Sequence, residues 1–193
     1  MRHSTDQCDR PPVFLEKYID AMDVLIINSA HHWNKGKMVA NKWVYYMDGQ
    51  PLANSEEYAM DELRRLALTK TIAWLDDRIM HNHTKAKVYM RSLSPRHFSG
   101  GEWDTGGRCD NNVFPLDQTN ISSQVLLVDR IAEDALRGSR IRLLNITYIS
   151  AFRDDAHIAK YKKDDQHQDC LHWCLPGPID TWNAMLLKML STY

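Results

Sequence analysis

The sequence contains no hydrophobic run of the roughly 18 residues that a membrane-spanning helix needs. It also has no excess of either charge, with 24 basic against 25 acidic residues, so nothing supports nucleic acid or an acidic membrane surface as a partner. The polar start MRHSTDQCDRPP is not a signal peptide. With 193 residues and 44% apolar content, the chain can bury one sizeable core, as one globular domain or most of one.

Four cysteines are too few to identify the redox compartment. Sequons for N-glycosylation occur at Asn82, Asn120 and Asn145, more than this composition would produce by chance, and they favour an oxidising lumen. That inference conflicts with the lack of a signal peptide. We therefore expect the amino-terminal part of the protein to be missing from this sequence.

Short β-prone runs alternate with amphipathic segments along the chain. Strands are predicted at Met22–Asn28, Lys42–Met47, Lys87–Ser92 and Arg140–Ile149. A short helical turn is predicted at Phe14–Tyr18, and longer helices at Ser55–Met80, Gln118–Arg137 and Ile179–Leu190. This order predicts an α/β fold with a parallel sheet and helices on both faces.

Some of these elements carry more detailed expectations. The continuous apolar run Met22–Asn28 predicts a strand buried on both faces of the sheet. Asp48-Gly49 predicts a turn after Lys42–Met47, and hence a peripheral hairpin or extended loop. The charges of helix Ser55–Met80 are interpreted as a solvated face without chemistry. The glycines at 100, 101, 106 and 107 predict a loop that changes direction often.

The strongest chemical pattern lies near the carboxyl end, where Asp169 and His172 form a D-x-x-H pair on a predicted loop. Such a carboxylate can accept the Nδ1 proton of the imidazole and so direct Nε2 at a substrate or nucleophile. Two alternatives use the flanking thiols of Cys170 and Cys174. With His172 they could hold zinc, although the usual paired ligand spacings are absent, or they could pin the loop through disulfides.

Long stretches of this chain resemble one known family. The sequence reads DCLHWCLPGPIDTWN from Asp169, SPRHFSGGEWDTGGRC from Ser94 and NSAHHW from Asn28. These blocks resemble those of the trichome birefringence-like family of plant polysaccharide O-acetyltransferases, a branch of the SGNH/GDSL esterase-like fold. Ser29 and Ala30 depart from the family's Thr and Gly in the block N-T-G-H-x-W.

The resemblance implies a serine, histidine and aspartate triad of which this chain keeps only part. His172 is implied as general base and Asp169 as its orienting partner. The family's nucleophile lies in a Gly-Asp-Ser motif, which occurs nowhere in these residues. We expect residues 1–193 to be the carboxyl-terminal portion of a single PC-esterase-like domain with an SGNH-like three-layer fold that lacks its first strand or strands. Loss of a central strand would expose apolar edges.

Further site residues are implied by their places in the matching blocks. Asn28 is a candidate hydrogen-bond donor to the reacting carbonyl. The cluster His31, His32 and Trp33 could lie in the mouth of a cleft or form a partly buried packing cluster. The remaining candidates for binding sugar are Arg91, His97 and Trp103. In the alternative interpretation, His97, Phe98 and Trp103 fold the glycine-rich loop onto itself.

The resemblance also pairs Cys109 with Cys170 in a disulfide. Cys174 would then need an upstream partner, for which Cys8 is an uncertain substitute. No metal and no bound cofactor are implied, and acetyl-CoA or a derived donor would act as co-substrate.

The implied activity is acetylation of a cell-wall polysaccharide, most often a xylan-like hemicellulose. The implied protein is a monomer in the Golgi lumen, held by a membrane anchor upstream of this chain. One alternative is a non-catalytic carbohydrate-binding remnant that keeps Trp33, Trp103 and Arg91. The other is a zinc module built on Cys170, His172 and Cys174.

Overall fold

The computed structural model describes residues 5–52, 59–110, 114–117, 128–159 and 168–192. The chain divides into two compact units, each assembled from separate stretches of sequence. Unit 1 comprises Met1–Leu93 and Asp129–Leu143, and unit 2 comprises Ser94–Val128 and Leu144–Tyr193.

Strands and helices alternate along unit 1. Its first part contains β1 (Thr5–Gln7), α1 (Val13–Tyr18), a 3₁₀ turn (Ile19–Ala21), β2 (Val24–Asn28), α2 (Lys35–Asn41), β3 (Val44–Met47) and β4 (Gln50–Pro51). It continues with α3 (Met60–Met80), β5 (Lys87–Arg91), α4 (Arg130–Leu136) and β6 (Arg142–Leu144), although the last residue of β6, Leu144, is already counted in unit 2.

The main sheet has the strand order β2-β5-β6, and β2 runs parallel to β5. A parallel sheet combined with helices confirms the predicted α/β fold class. In this register Asn28 lies opposite Arg91, so two candidate site residues stand at the carboxyl ends of neighbouring strands.

Burial differs sharply between these two strands. Val88, Tyr89 and Met90 in the middle strand β5 are at most 1% exposed. Strand β2 lies at the edge of the described sheet, and Val24 and Ile26 are 37% and 41% exposed. The prediction that Met22–Asn28 is buried on both faces is therefore wrong, because β2 presents one apolar face to solvent.

Helix α3 supplies much of the core of unit 1. Leu68, Ile72 and Leu75 recur at the spacing of one helix face, and each is at most 4% exposed. They pack with Val88 of β5 and Ile131 of α4 in one apolar cluster. The predicted helix end at Met80 is confirmed. The predicted start at Ser55 falls outside the described residues.

The predicted hairpin after Lys42 is also present. Strands β3 and β4 pair in antiparallel fashion around Asp48 and Gly49, both of which have positive φ. Glycine adopts this backbone without strain, whereas at Asp48 it is less favourable. Strand β1 pairs with β3 in parallel, which completes a small second sheet.

Two predicted elements are longer than the observed ones. Helix α4 begins at Arg130 because Asp129 caps its amino terminus, so no single helix runs from Gln118 to Arg137. Residues 118–127 of that prediction lie outside the described residues. The strand predicted at Arg140–Ile149 is limited to β6, because the chain turns into helix α5 at Thr147.

Unit 2 contains α5 (Thr147–Ser150), a 3₁₀ turn (Asp154–Ala156), β7 (His157–Ala159), β8 (Asp169–Trp173) and α6 (Pro178–Ser191). Strands β7 and β8 form an antiparallel pair. The segment predicted as a D-x-x-H loop is thus strand β8, and the loop prediction is wrong. Among the described helices of the protein, none has both the length and the apolar character required to cross a bilayer.

Candidate active site

The Asp169 and His172 side chains are in contact on β8. His172 Nδ1 lies 2.9 Å from Asp169 Oδ2 and 3.1 Å from Oδ1. The carboxylate also accepts hydrogen bonds from the backbone N–H groups of Leu171, at 3.2 Å, and His172, at 3.0 Å. The register between β7 and β8 is irregular at this point, which allows the carboxylate to fold back over the next residues.

This contact determines which ring nitrogen faces the carboxylate. Because an ionised carboxylate can only accept, the ring donates through Nδ1–H, and in the neutral ring Nε2 then carries the lone pair. Partial burial acts to raise the pKa of Asp169, but its hydrogen bonds from His172 and Leu171 outweigh burial and leave that pKa below its ordinary value. The His172 side chain is 71% exposed, whereas that of Asp169 is only 11% exposed. An ionised, anchored carboxylate therefore orients an accessible imidazole.

A disulfide holds the strand that carries this pair. Cys109 and Cys170 are bonded, with their Cα atoms 5.9 Å apart. Gln168 Oε1 accepts the backbone N–H groups of Cys109, at 2.6 Å, and Asp110, at 3.0 Å. The carboxyl end of the Ser94 block is thereby attached to β8 next to Asp169. Sequence reasoning missed Gln168, which no local pattern distinguishes from other polar residues.

The glycine-rich loop is closed on itself by backbone contacts. Ser99 and Arg108 form an isolated antiparallel bridge. A Cβ atom at Gly107 would lie 2.4 Å from the carbonyl oxygen of Gly101, so this approach requires glycine. Trp103, at the loop's far end, is 60% exposed. Its indole is therefore not folded into the loop, which leaves a ring face available for a sugar.

His97 occupies a different environment from the one predicted. Its ring is 5% exposed, and both nitrogens contact internal groups: His157 Nε2 at 2.7 Å and the Ala151 carbonyl at 3.0 Å. The prediction that His97 binds substrate is wrong, because the ring is enclosed by protein. Its partner His157 also contacts the His172 carbonyl, at 2.9 Å, and sequence reasoning gave it no role.

Unit 1 contains the other candidate residues. Asn28 is exposed at the end of β2, and Arg91 opposite it is half-buried. Partial burial lowers the pKa of Arg91 from its ordinary value, while the charge of Asp129 opposes that shift. Both residues keep positions suited to a polar ligand at the strand ends.

The histidine and tryptophan residues after β2 were predicted either to line a cleft or to form a packing cluster, and Trp33 does both. Trp33 stacks on the buried Tyr45, with ring centroids 5.7 Å apart, and donates Nε1–H to Ser29 Oγ. His32 is exposed and its ring contacts Lys37 Nζ. Trp33 is thus part of a packing cluster, yet its edge and His32 also line a cavity. His31 is half-buried and is not among the residues that line this cavity.

That cavity in unit 1 measures about 440 Å³. It is lined by aromatic, apolar and a few polar side chains: Cys8, Arg10, Pro11, Pro12, Val13, His32, Trp33, Trp43, Tyr45, Ala67 and Thr71. Its volume is within the range of small-ligand pockets.

A buried ion pair, also missed from the sequence, supports the strand ends of unit 1. Arg64 of α3 donates to Asp129 Oδ2 at 2.7 Å, and both side chains are at most 6% exposed. Arg64 Nε also donates to the Ser29 carbonyl, and Asp129 accepts the backbone N–H of Leu93. The interpretation of every α3 charge as solvated is wrong for Arg64, whose role is to tie together the segments after β2 and β5.

The remaining thiols bear on the zinc alternative. Among the described residues, the thiol of Cys8 is buried and that of Cys174 is half-buried. Cys170 is committed to its disulfide, which removes one of the three ligands that a Cys170, His172 and Cys174 site would need. Within the described residues, no group of histidine, cysteine and acidic side chains has the arrangement of a metal site.

The sequence matches a family profile over residues 2–189. That family is PC-esterase, the GDSL/SGNH-like acyl-esterase family found in Pmr5 and Cas1p. The chain belongs to the PC-esterase family. Membership agrees with the α/β fold of this PC-esterase chain.

Curated relatives of this PC-esterase chain come from Arabidopsis thaliana. Trichome birefringence-like 14 is 37% identical over 94% of this chain and 48% of its own length. Trichome birefringence-like 15 is 34% identical over 94% of this chain and 38% of its own length. The protein trichome birefringence is 34% identical over 91% of this chain and 30% of its own length. The family resemblance is thus confirmed, and the chain spans about half or less of these relatives.

Proposed function

We propose that this chain supplies the histidine and the aspartate of the catalytic triad of an O-acetyltransferase that acts on a cell-wall polysaccharide. The observation that carries the proposal is the contact between the anchored Asp169 carboxylate and the exposed His172 ring. Xylan-like hemicellulose is the substrate class that the family resemblance favours. Exposed Trp103 and half-buried Arg91 are our candidates for sugar contacts within their respective units.

In the proposed reaction a serine hydroxyl attacks the carbonyl of an acetyl donor, either acetyl-CoA or a derived ester. His172 Nε2 takes the serine proton and returns it to the leaving group as the donor's acyl bond breaks. A sugar hydroxyl then attacks the acetyl-serine, passing its proton through Nε2 back to the serine. Asp169 keeps the ring oriented and stabilises its charged form. The role of Asn28 as a hydrogen-bond donor to the reacting carbonyl stays a prediction that only the family resemblance supports.

We propose that the serine comes from a Gly-Asp-Ser segment outside these 193 residues, because no such motif occurs within them. Two observations support this. The chain covers 48% of trichome birefringence-like 14, and β2 exposes Val24 and Ile26 at a sheet edge where a further strand could pair. An anchor in that segment would hold a monomeric enzyme in the Golgi lumen.

The decisive experiment joins the upstream half of trichome birefringence-like 14 to this chain and measures acetyl transfer to xylo-oligosaccharides. We expect transfer by the hybrid, loss of several orders of magnitude in rate for His172→Ala, and little change for the control His83→Ala, which alters another exposed histidine. The 193-residue chain alone should not hydrolyse a chromogenic acetyl ester. His172-dependent hydrolysis by the chain alone would contradict the proposed origin of the nucleophile.

A second candidate function is carbohydrate binding without catalysis, which the 60% exposure of Trp103 favours. Calorimetric titration of the chain with xylohexaose separates the two functions. Binding that disappears in Trp103→Ala, together with a hybrid that never transfers acetyl, would support the binding module. The upstream genomic sequence provides a further check, since the enzyme requires a Gly-Asp-Ser codon run there.

A further inference from the structure

Two buried histidines in unit 2 join the His172 backbone to a neighbouring turn. His157 Nδ1 lies 2.9 Å from the His172 carbonyl oxygen, and its Nε2 lies 2.7 Å from His97 Nδ1. His97 Nε2 lies 3.0 Å from the carbonyl oxygen of Ala151. Both rings are 5% exposed. The two rings thus form a row of three contacts that begins at the His172 carbonyl, passes through His157 and His97, and ends at the Ala151 carbonyl.

Counting protons shows that this row is unusual. A carbonyl oxygen can only accept, so His157 Nδ1 and His97 Nε2 must each carry a hydrogen. The contact between the two facing nitrogens needs one more. Two neutral imidazoles carry one N–H each, which is one hydrogen too few for three contacts. All three hydrogen bonds exist together only when the pair holds a single added proton.

The surroundings limit the pair to that one proton. Burial lowers the pKa of His97, and burial followed by the charge of His97 lowers the pKa of His157 to about 4. Burial therefore opposes uptake of the first added proton, and the charge of that proton opposes a second one still more strongly. The charged groups that favour the first one are Asp155, which acts on both rings, and Asp169, which acts on His157. Coupled rings of this kind titrate as a unit rather than separately.

The pair is also packed against the strand that carries His172. The His157 ring stacks on Trp173, with centroids 4.1 Å apart, and His97 meets the same indole edge-on at 5.8 Å. Trp173 in turn donates its Nε1–H to Ser94 Oγ. Movement of either imidazole would therefore disturb the residue that follows His172.

We propose that His97 and His157 form a one-proton clamp on the His172 carbonyl and are positioning residues for His172. With the added proton, three hydrogen bonds fix the carbonyl. Without it, one contact opens, because two lone pairs cannot face each other at bonding distance. The catalytic consequence rests on the function proposed above, whereas the proton count does not.

The test is long-range ¹H–¹⁵N NMR of the ring nitrogens in the full 193-residue chain, followed from about pH 7.5 to about pH 4, because burial lowers the pKa of both rings below that of an ordinary histidine. We expect His97 Nδ1 and His157 Nε2 to move together in one step, to shifts between those of bare and protonated nitrogens. The Trp173 amide nitrogen, bonded to the His172 carbonyl carbon, should move in the same step. Independent titration of the rings, or no proton uptake while the chain stays folded, would overturn the clamp.

The variant His97→Gln sharpens the test. Its neutral amide offers two hydrogens, one for His157 Nε2 and one for the Ala151 carbonyl, so no added proton is required. We expect the pH-dependent step at the Trp173 amide to disappear in His97→Gln, while the spectrum stays that of a folded chain. His97→Leu, which offers no hydrogen, should shift the Trp173 amide at every pH. A step in His97→Gln as large as in the parent chain would reject the proposal, and the parent titration decides if this variant fails to fold.

These readouts separate the two proposals because none requires acetyl transfer. An inactive hybrid enzyme with an intact one-proton step would reject the proposed function and keep the clamp. An active hybrid whose buried rings titrate independently would do the reverse.

Discussion

Asp129 in unit 1 and Asp169 in unit 2 are anchored in the same way but have different partners. Each carboxylate accepts two backbone N–H groups and one side-chain donor. For Asp129 the side-chain donor is Arg64, at 2.7 Å, and the pair is at most 6% exposed. For Asp169 it is His172, at 2.9 Å, whose side chain is 71% exposed.

The difference in partner separates a structural site from a reactive one. A guanidinium cannot give up its proton in a protein, and a sealed pair has no access to substrate, so Arg64 and Asp129 serve only to join segments. An imidazole can both take and release a proton, and the His172 ring is 71% exposed at the surface. Anchoring a carboxylate thus creates chemistry only where the partner titrates and reaches solvent.

The largest expected effect comes from Asp129→Ala, which leaves the Arg64 charge buried without its partner. We expect the free energy of unfolding to fall by about 3–5 kcal/mol, measured by urea denaturation. The double variant Arg64→Met with Asp129→Leu should recover only part of that loss, because the Arg64 charge is gone but the N–H groups of Leu93 and Ala132 still lose the carboxylate. A loss below about 1 kcal/mol in Asp129→Ala would show that the pair is not sealed as described.

A smaller effect is expected from Asp169→Asn, which weakens charge-assisted hydrogen bonds at a partly open site. The free energy of unfolding at neutral pH should fall by about 1–3 kcal/mol. The pKa of Asp169 lies below its ordinary value in the folded chain, so its stabilisation is present above the unfolded pKa and is lost as pH falls through the folded one. The difference between parent and variant should therefore shrink in acid, and a difference unchanged with pH would contradict this.

Asp154 is a buried carboxyl group whose pKa is shifted in the opposite direction from that of Asp169. It is 6% exposed, and its Oδ1 has no hydrogen-bond partner among the described residues. Burial, followed by the charge of Asp155, raises its pKa to about 6. The folded chain therefore holds this proton more tightly than the unfolded chain, and stability is lost as pH rises from about 4 to about 6.

The variant Asp154→Asn keeps the shape of the side chain and removes its charge. Relative to the parent we expect stabilisation on the order of 1 kcal/mol at about pH 8 and no gain at about pH 4, measured by urea denaturation at both values. Stabilisation of equal size at both pH values would indicate a packing effect instead.

The smallest effect is expected at the surface pair of Arg65 and Asp134, which lie 2.9 Å apart with side chains 49% and 45% exposed. Arg65→Ala should lower the free energy of unfolding by less than about 1 kcal/mol, and added salt should reduce even that. Arg64 and Arg65 are neighbours on one helix, so this variant is a matched control for the buried pair. Equal losses of unfolding free energy in Asp129→Ala and Arg65→Ala would contradict the distinction between the buried and the exposed ion pair.

The sequence was informative wherever function depends on neighbouring residues. The D-x-x-H spacing and the family blocks predicted that Asp169 meets His172, and the contact is present. The loop assignment was wrong, since these residues lie on strand β8. Residues three apart on a regular strand point to opposite faces, so a contact between their side chains is not expected there. Here an irregular register and two backbone N–H bonds turn the Asp169 carboxylate back towards His172, which no local propensity encodes.

Distant partners account for the other errors. Arg64 resembles any charged residue on a helix until Asp129, 65 positions later, is packed against it. His97 carries the signature of a surface ligand in its motif, but its ring is enclosed because His157, 60 positions later, faces it. Tertiary packing decides which members of a polar motif reach solvent, and a one-dimensional pattern does not contain that information.

The most direct test of the central claim is the tautomer of His172, read from its ring ¹⁵N shifts in the 193-residue chain at about pH 8, where imidazole is mostly neutral. The Asp169 contact predicts a proton on Nδ1 and a bare Nε2, and Asp169→Asn should weaken that preference. A proton on Nε2 in the parent chain, or an even mixture that Asp169→Asn leaves unchanged, would contradict a histidine held ready as general base.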